Sequence, residues 1–237
     1  MSSLADASFD GLGRVERTTR RELILAKLRT ALASGQFPQG THMVETTLSE
    51  ALGVSRGTLR EALRHLQQEG LLVADSRGRL TVRVLSRHEV AGVFAVRGAL
   101  EALAVEAVCA LPDRGPAITE LRGRLERLRQ ATSFADRVTC DLELHEALCR
   151  ASGNESLVRA WLGVGGHARA AIVAAGEATA LHNMAAERHE PLVAAIERGE
   201  VPHALETLRR HLDEAVTAVL SRMPEESESD EELAPLA

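Results

Sequence analysis

Four residues in the second half of the chain have the types and spacing of a metal site: Asp141, His145, His189 and His211. Asp141 and His145 stand four apart, so on a helix both project from the same face. His189 and His211 lie on consecutive helical segments whose connection falls near residue 200. Each is 11 positions from that midpoint, and such positions stand level in an antiparallel helical hairpin. Three imidazoles and one carboxylate from three helices could converge on one divalent ion inside a helical bundle. The ligand set suits zinc, nickel or manganese without choosing among them. A plainer reading competes with it. The chain holds nine histidines, and an i,i+4 pair containing one of them arises readily by chance. On that reading the four are surface groups or hydrogen-bonded core groups.

The first third carries a different constellation. Residues 48–63 read as two short helices joined by a tight turn. Gly53 suits the left-handed residue that ends a helix, and Ser55 supplies an N-cap oxygen for the next one. Leu59, Leu63 and Leu66 repeat at helical spacing and are expected inward, leaving Arg56, Thr58, Arg60 and Arg64 on other faces. A helix-turn-helix needs this arrangement, because the start of its second helix must reach base edges and phosphates in a major groove. Thr47 and Glu50 have capping-box spacing and place the start of the first of the two helices. Upstream, Leu23, Leu25, Leu28 and Leu32 predict an amphipathic helix ending near Gly35. Downstream, residues 71–74 and 80–84 flank Asp75-Ser76-Arg77-Gly78-Arg79 and read as a hairpin, with Arg77 and Arg79 at its tip for phosphate or minor-groove contact. Three helices and a two-stranded wing make a winged helix, predicted to bind double-stranded DNA. The competing reading is a helical hairpin with a solvated basic face.

Charge distribution is compatible with that reading once the chain is divided. Residues 1–85 hold 12 Lys+Arg against 9 Asp+Glu, a net +3; residues 86–224 hold 16 against 19, a net −3. The remaining six acids, without a base, lie at 225–237, so the overall −6 equals the charge of the tail. That tail reads as disordered by composition, and residues 1–17 as a mobile arm. No apolar run spans a membrane and no signal-peptide pattern opens the chain, so a cytoplasmic protein is expected. Aromatic residues are 2% of the chain, and the cores must be built from Leu, Ala and Val. Cys109, Cys140 and Cys149 match no zinc-finger spacing and suit buried thiols in a reducing compartment.

From Ser86 onward the pattern is helical throughout, so the expected fold is mainly α: a winged helix-turn-helix at 18–85, then an all-α bundle at 86–223, then the tail from 224. Ser86 caps a long helix to about Leu111, with Val90, Val93, Phe94, Val96, Leu100, Leu103 and Ala107 on one side. Later helices run through Ile118–Leu128, from Ser133 to Ser152, and from Glu155 into a segment expected to bend at Gly163, Gly165 and Gly166. The last two are expected at about 179–198 and 201–221.

The run from about Ala26 to Val84 resembles the N-terminal domain of the GntR family of bacterial transcription regulators. Gly53-Val54-Ser55-Arg56, Leu59-Arg60-Glu61-Ala62-Leu63, Leu66 and Glu69-Gly70-Leu71 match its signature almost position for position. The resemblance implies that Arg56 and Arg60 carry much of the operator contact, with Thr58 and the wing around Gly78 assisting. Some members carry an arginine at the start of the preceding helix. Here Thr46 stands there; it can bond a phosphate but lacks the guanidinium fork that reads guanine, so operator preference is expected to differ.

A second stretch resembles the FCD-type ligand-binding domain of the FadR-like branch of that family. It comprises Asp141-Leu142-Glu143-Leu144-His145, Leu148, Ser152-Gly153-Asn154 and Leu157, then His189, Ile196, Gly199, Ala204 and His211-Leu212. The resemblance implies that Asp141, His145, His189 and His211 bind a metal that helps hold a small carboxylate effector. Leu144 stands where a Phe is usual, a change of packing. The two resemblances span about residues 20 to 221. Arg97 matches an arginine that in this domain often points into the cavity and could grip a carboxylate; alternatively it is a surface arginine paired with Glu101. His167, Arg169 and His182, with Asn183, are further effector candidates. The expected function is a homodimeric regulator, a repressor on a palindromic operator, with the long helix from Ser86 contributing to the dimer. Two alternatives stay open: a sensor for which the ion itself is the signal, and a metal-dependent helical enzyme. Nothing supports turnover, since no Glu is placed by motif as a general base and no nucleotide loop occurs.

Overall fold

The computed structural model describes residues 20–223; the expected arm at 1–17 and the acidic tail from 224 lie outside the described residues. Helix α1 (Arg20–Ala33) buries Ile24, Leu25, Leu28 and Leu32. Leu23, expected inward, is 55% exposed. It stands five residues, about 140° of rotation, from Leu28, whereas Ile24 is one turn from it. Helix α2 (Glu45–Leu52) starts earlier than Thr47 predicts, with Val44 at the N-cap and no side-chain cap bond. The physical reason lies just upstream. The Met43 N–H donates to the Leu80 carbonyl, and His42 bridges Thr81, so the chain is held extended up to Val44 and turns there. Gly53 closes α2 at φ 62°. Helix α3 (Arg56–Gln68) opens on Ser55, whose Oγ accepts the Thr58 N–H at 3.2 Å.

Leu59, Ala62, Leu63 and Leu66 of α3 are fully buried against α1. Strands β1 (Leu72–Ala74) and β2 (Leu80–Val82) pair antiparallel with Val73 opposite Thr81. The wing is therefore present as three-residue strands, shorter than the runs that predicted it. Its tip is tied by Asp75, whose carboxylate accepts the N–H groups of Arg77 and Arg79 at 2.9 and 2.8 Å.

Helix α4 (Arg87–Cys109) opens with a full capping box between Ser86 and Glu89. It is followed by α5 (Gly115–Gln130), α6 (Phe134–Ala151), α7 (Glu155–Ala175), α8 (Glu177–Ala180), α9 (Ala186–Arg198) and α10 (Val201–Leu220). Helix α4 packs on α10, α7 and α6, while α5 lies against α6 and α9. Two expectations need correction, the inward face of α4 and the helix from 179. The inward face of α4 carries Val90, Phe94, Arg97, Glu101, Ala104, Val105 and Val108, whereas Val96 and Leu103 are exposed. Helix α7 runs as one 21-residue helix through Gly163, Gly165 and Gly166. The helix expected from 179 is split into α8 and α9, with a turn at 181–185 between them.

The two parts of the chain meet along a seam in which α1 lies against α6 and α7. At its centre the backbone of Gly70 touches that of Gly166. A Cβ on Gly70 would fall 2.6 Å from the Gly166 Cα, and one on Gly166 3.0 Å from the Glu69 carbonyl oxygen. Glu69 is itself ion-paired with Arg29 of α1. Gly70 has φ 75° and Gly78, at the wing tip, 74°, but a Cβ on Gly78 meets nothing within 4 Å. Alanine at either site carries the left-handed penalty of about 1–2 kcal/mol; only at position 70 must backbone also move. Gly70→Ala is therefore expected to lower the thermal midpoint, followed by circular dichroism, by several degrees more than Gly78→Ala. Equal shifts would show that the seam opens without resistance.

Candidate nucleic-acid interface and candidate metal centre

Arg56, Arg60 and Arg64 stand one turn apart along α3, all exposed, on a face that flanks its buried leucines. Neither Arg56 nor Arg64 forms an ion pair among the described residues, so both guanidinium groups are open to solvent. Thr58 shares a hydroxyl–hydroxyl hydrogen bond of 2.8 Å with Ser55. Arg60 differs from its neighbours. Its guanidinium forks onto Glu45 in the first turn of α2, with Nε 3.1 Å from Oε1 and Nη2 2.8 Å from Oε2. The pair places the start of α2, with exposed Thr46, beside α3. The Arg60 hydrogen bond also holds the Glu45 carboxyl below the usual carboxylate range. As a surface pair it adds little to stability. Gly78 and Arg79 lie exposed at the wing, where Arg79 Nε donates to Asp75 Oδ2 at 2.7 Å. The spacing of the arginines does not reveal the Glu45 and Asp75 pairings; of the sequence-predicted residues, Thr46, Arg56, Arg60, Arg64, Gly78 and Arg79 are exposed and Thr58 is half-buried.

Asp141 and His145 on α6, His189 on α9 and His211 on α10 come together in the helical part, all buried. One possible ligand atom from each lies within 4.8 Å of the other three. Ring centroids are 4.4 Å apart for His189 and His211 and 5.3 Å for His145 with either. The α9–α10 hairpin turns at Gly199, with φ 72°, and α10 begins with Pro202 in its first turn, which sets the two histidines level.

Four buried atoms face one another without hydrogen bonds: Asp141 Oδ1, His145 Nε2, His189 Nε2 and His211 Nδ1. His189 Nε2 and Asp141 Oδ1 are 3.1 Å apart but lack hydrogen-bond alignment. Buried polar atoms are nearly always paired, so four converging orphan atoms fit a divalent cation as the missing partner.

Outer partners fix the rings. His145 Nδ1 is 2.7 Å from Glu101 Oε2, and His189 Nδ1 is 3.1 Å from the Ala185 carbonyl. Each contact places a proton on Nδ1 and leaves the Nε2 lone pair toward the centre. Glu101 also accepts from Arg97 Nε at 3.0 Å and Trp161 Nε1 at 2.9 Å. Burial by itself would raise the Glu101 pKa, but the charge of Arg97 and the hydrogen bonds from His145 and Trp161 outweigh it and keep the carboxylate ionised. Asp141 follows the same pattern, with burial opposed first by contact with His189 and then by the other imidazoles around it. Burial holds His211 well below the ordinary imidazole value, so one of its ring nitrogens keeps a lone pair.

Arg97 is buried and does pair with Glu101, so its two sequence readings merge: the ion pair exists, inside the bundle instead of on its surface. With Asp141, Asn183 and His211 it lines a cavity of ≈ 20 Å³. The other three effector candidates are not brought there. His182 is exposed in the α8–α9 turn, and its neighbour Asn183 faces inward instead. The buried stripe of α7 runs through Trp161, Gly165, Ala168 and Ile172, so His167 and Arg169 flank Ala168 about 100° to either side. Arg169 points toward α6 and donates to Thr139 Oγ1 at 3.0 Å. Glu101 and Trp161 escape sequence reasoning as site residues. The only signal was the i,i+4 spacing of Arg97 and Glu101.

Comparison with known proteins bears on both sites. A model of "Bacterial regulatory proteins, gntR family" matches residues 20–82, and a model of the FCD domain matches residues 92–214. A probable D-xylose utilization operon transcriptional repressor of Paenarthrobacter nicotinovorans is 29% identical over 202 residues, 84% of this chain and 88% of that protein. The gluconate operon transcriptional repressor of Bacillus subtilis (strain 168) is 27% identical over 138 residues, 57% of this chain and 56% of that protein. The crystal structure of a GntR regulator from Rhodococcus sp. RHA1 shares the fold at TM-score 0.65 and 22% identity, covering 86% of this chain and 99% of its own. With helix-turn-helix and FCD domain both matched, the chain belongs to the GntR family of bacterial regulatory proteins, whose members are transcription regulators and not enzymes.

Proposed function

We propose that the protein is a homodimeric repressor whose affinity for a palindromic operator is set by a small carboxylate bound beside a divalent metal in the FCD domain. The observation that carries the reading is the convergence of four unpaired donor atoms next to a cavity lined by Arg97. In this reading Asp141, His145, His189 and His211 hold zinc, nickel or manganese. A bound ion supplies positive charge and open coordination positions for a carboxylate. Arg97 adds a charge-assisted hydrogen bond to the same group while Glu101 keeps its guanidinium oriented. Arg56 and Arg60 read base edges, and Thr46, Thr58, Arg64, Gly78 and Arg79 contact the backbone. Residues 18–85 act as the DNA-binding unit and 86–223 as the effector and dimerisation unit.

Helix α4 connects the two. Its first residue follows the wing by five positions, and its inward face carries Arg97 and Glu101. A ligand drawn to Arg97 therefore bears on a rigid element joined directly to the winged helix. Coupling of this kind requires that the ligand bind one arrangement of the dimer better than the other. The relatives that are repressors by name support the direction of control. A second reading, with the ion itself as signal, is favoured by the small size of the cavity.

The test starts with an operator selected from random DNA by the full-length protein. Its affinity is then measured with metal-stripped protein, with protein reloaded with each metal, and with small acids added. The expected result is a change of about 5–150-fold on adding an acid to the loaded protein. Affinity that follows free metal alone would establish the sensor instead. Affinity indifferent to both would overturn effector control.

A further inference from the structure

We propose that residues 176–185, comprising the short helix α8 and the turn after it, are the gate through which a divalent ion and the ligand that joins it enter the helical domain. The proposal rests on the metal centre and the Arg97 cavity being a binding site. That site is closed to solvent. Arg97, Asp141, Asn183 and His211 on the cavity wall are between 1% and 8% exposed, and the four converging donor atoms of the centre are buried. A hydrated ion reaches them only if part of the wall moves. Helices α4, α6, α7 and α10 contribute to the wall from long elements that pack on one another. Ala180, Asn183 and Met184 come instead from a connection whose helix α8 has four residues.

This connection is held lightly. Backbone hydrogen bonds of residues 177–184 run to chain neighbours three or four positions away, and among the described residues none crosses to another long helix. Two side-chain bonds tie it to α10 and the residues just past it. Asn183 Nδ2 donates to the His211 carbonyl at 3.3 Å, and Arg222 Nε donates to Thr179 Oγ1 at 2.9 Å. A segment with so few contacts to break opens at lower cost than the helices around it. Its ends suit a hinge. Gly176 has φ 81° and ψ 166°, a conformation essentially restricted to glycine, and a Cβ there would meet nothing within 4 Å. At the other end α9 starts on Ala185 without a side-chain cap bond to resist the swing. Closure also shapes the centre, because the Ala185 carbonyl orients His189 while Asn183 holds the His211 backbone. The other thin wall is Phe94 with Leu212, which part the cavity from an open groove between α4 and α10. Arg97 Cζ lies 5.4 Å from the Phe94 ring centre and restrains that side chain, which disfavours entry there.

The experiment mixes metal-free, full-length protein with rising concentrations of zinc. Uptake is followed by the fluorescence of Trp161, the single tryptophan, which shares Glu101 with His145, and bound zinc is confirmed by elemental analysis. With a gate, the uptake rate levels off at high zinc, at the rate of opening. Arg222→Met releases Thr179, and Gly176→Ala strains the closed form. Each is expected to raise the plateau about 3–10-fold and to speed zinc release by the same factor, leaving the zinc dissociation constant unchanged. If Gly176→Ala fails to fold, Arg222→Met decides by itself. Faster release with unchanged uptake would make the ties a matter of affinity alone and overturn the gate. So would an unchanged plateau, or a rate proportional to zinc throughout. A plateau raised by Phe94→Ala and by neither of the other variants would place the entrance between α4 and α10 instead. Protein that takes up no zinc, nickel or manganese would remove the metal centre, and the gate with it.

Discussion

Replacing Arg60 with alanine is expected to weaken operator binding by at least about 30-fold, while dimerisation and metal content stay as in the wild type. A guanidinium fork on a guanine contributes about 1–3 kcal/mol of discrimination, and a dimer loses it twice. Arg60 is positioned for that role by its exposure on α3 beside the start of α2. Its present fork on Glu45 shows that the side chain can present two parallel donors to a planar acceptor, the geometry that guanine O6 and N7 require. Arg60→Lys separates charge from shape. It should retain the salt dependence of binding while losing much of the preference for the selected operator over random DNA. Mobility-shift titrations at two salt concentrations read both quantities. Unchanged affinity in Arg60→Ala would remove α3 from the DNA interface.

The second large effect is expected at the helical centre. Wild-type protein should carry close to one divalent ion per chain by elemental analysis, and His189→Ala should carry none. The change removes an orphan Nε2 and leaves the buried Asp141 without the imidazole 3.1 Å away. A buried carboxylate stripped of its partner is strongly unfavourable, so the variant is also expected to unfold at lower temperature. Stability resolves the two consequences. Metal at 100 times its dissociation constant adds about 2.7 kcal/mol to the wild type, and the variant should gain nothing. Glu101→Gln probes the outer contact on His145 and should bind the same ion about 10–100-fold more weakly. Metal-free wild type after incubation with zinc, nickel and manganese would dissolve the metal centre. Equal loading of His189→Ala would exclude His189 from it.

Local chemistry was legible in the chain. Ser55, Gly53 and Ser86 act through bonds to residues three or four positions away, so sequence spacing is sufficient to place them. The level pairing of His189 and His211 follows equally from one tight turn between two regular helices. The inward face of α4 was not legible in the same way. Apolar residues occur all round that helix, so periodicity could not say that Val96 and Leu103 face out while Arg97 and Glu101 face in. Contacts with α6, α7 and α10 decided it, through an ion pair, an imidazole and an indole that bury the charges together. The same holds for Asn183, chosen over His182 by a turn whose geometry depends on the packing of α8 and α9, and for Glu45, which meets Arg60 across 15 residues. By itself the sequence determined most of the elements, the arginines along α3 and the helical positions of Asp141, His145, His189 and His211, because each is set by short-range periodicity and capping. Only the tertiary structure decided which polar atoms were left without partners, because that depends on what every neighbouring helix brings to the same few ångströms.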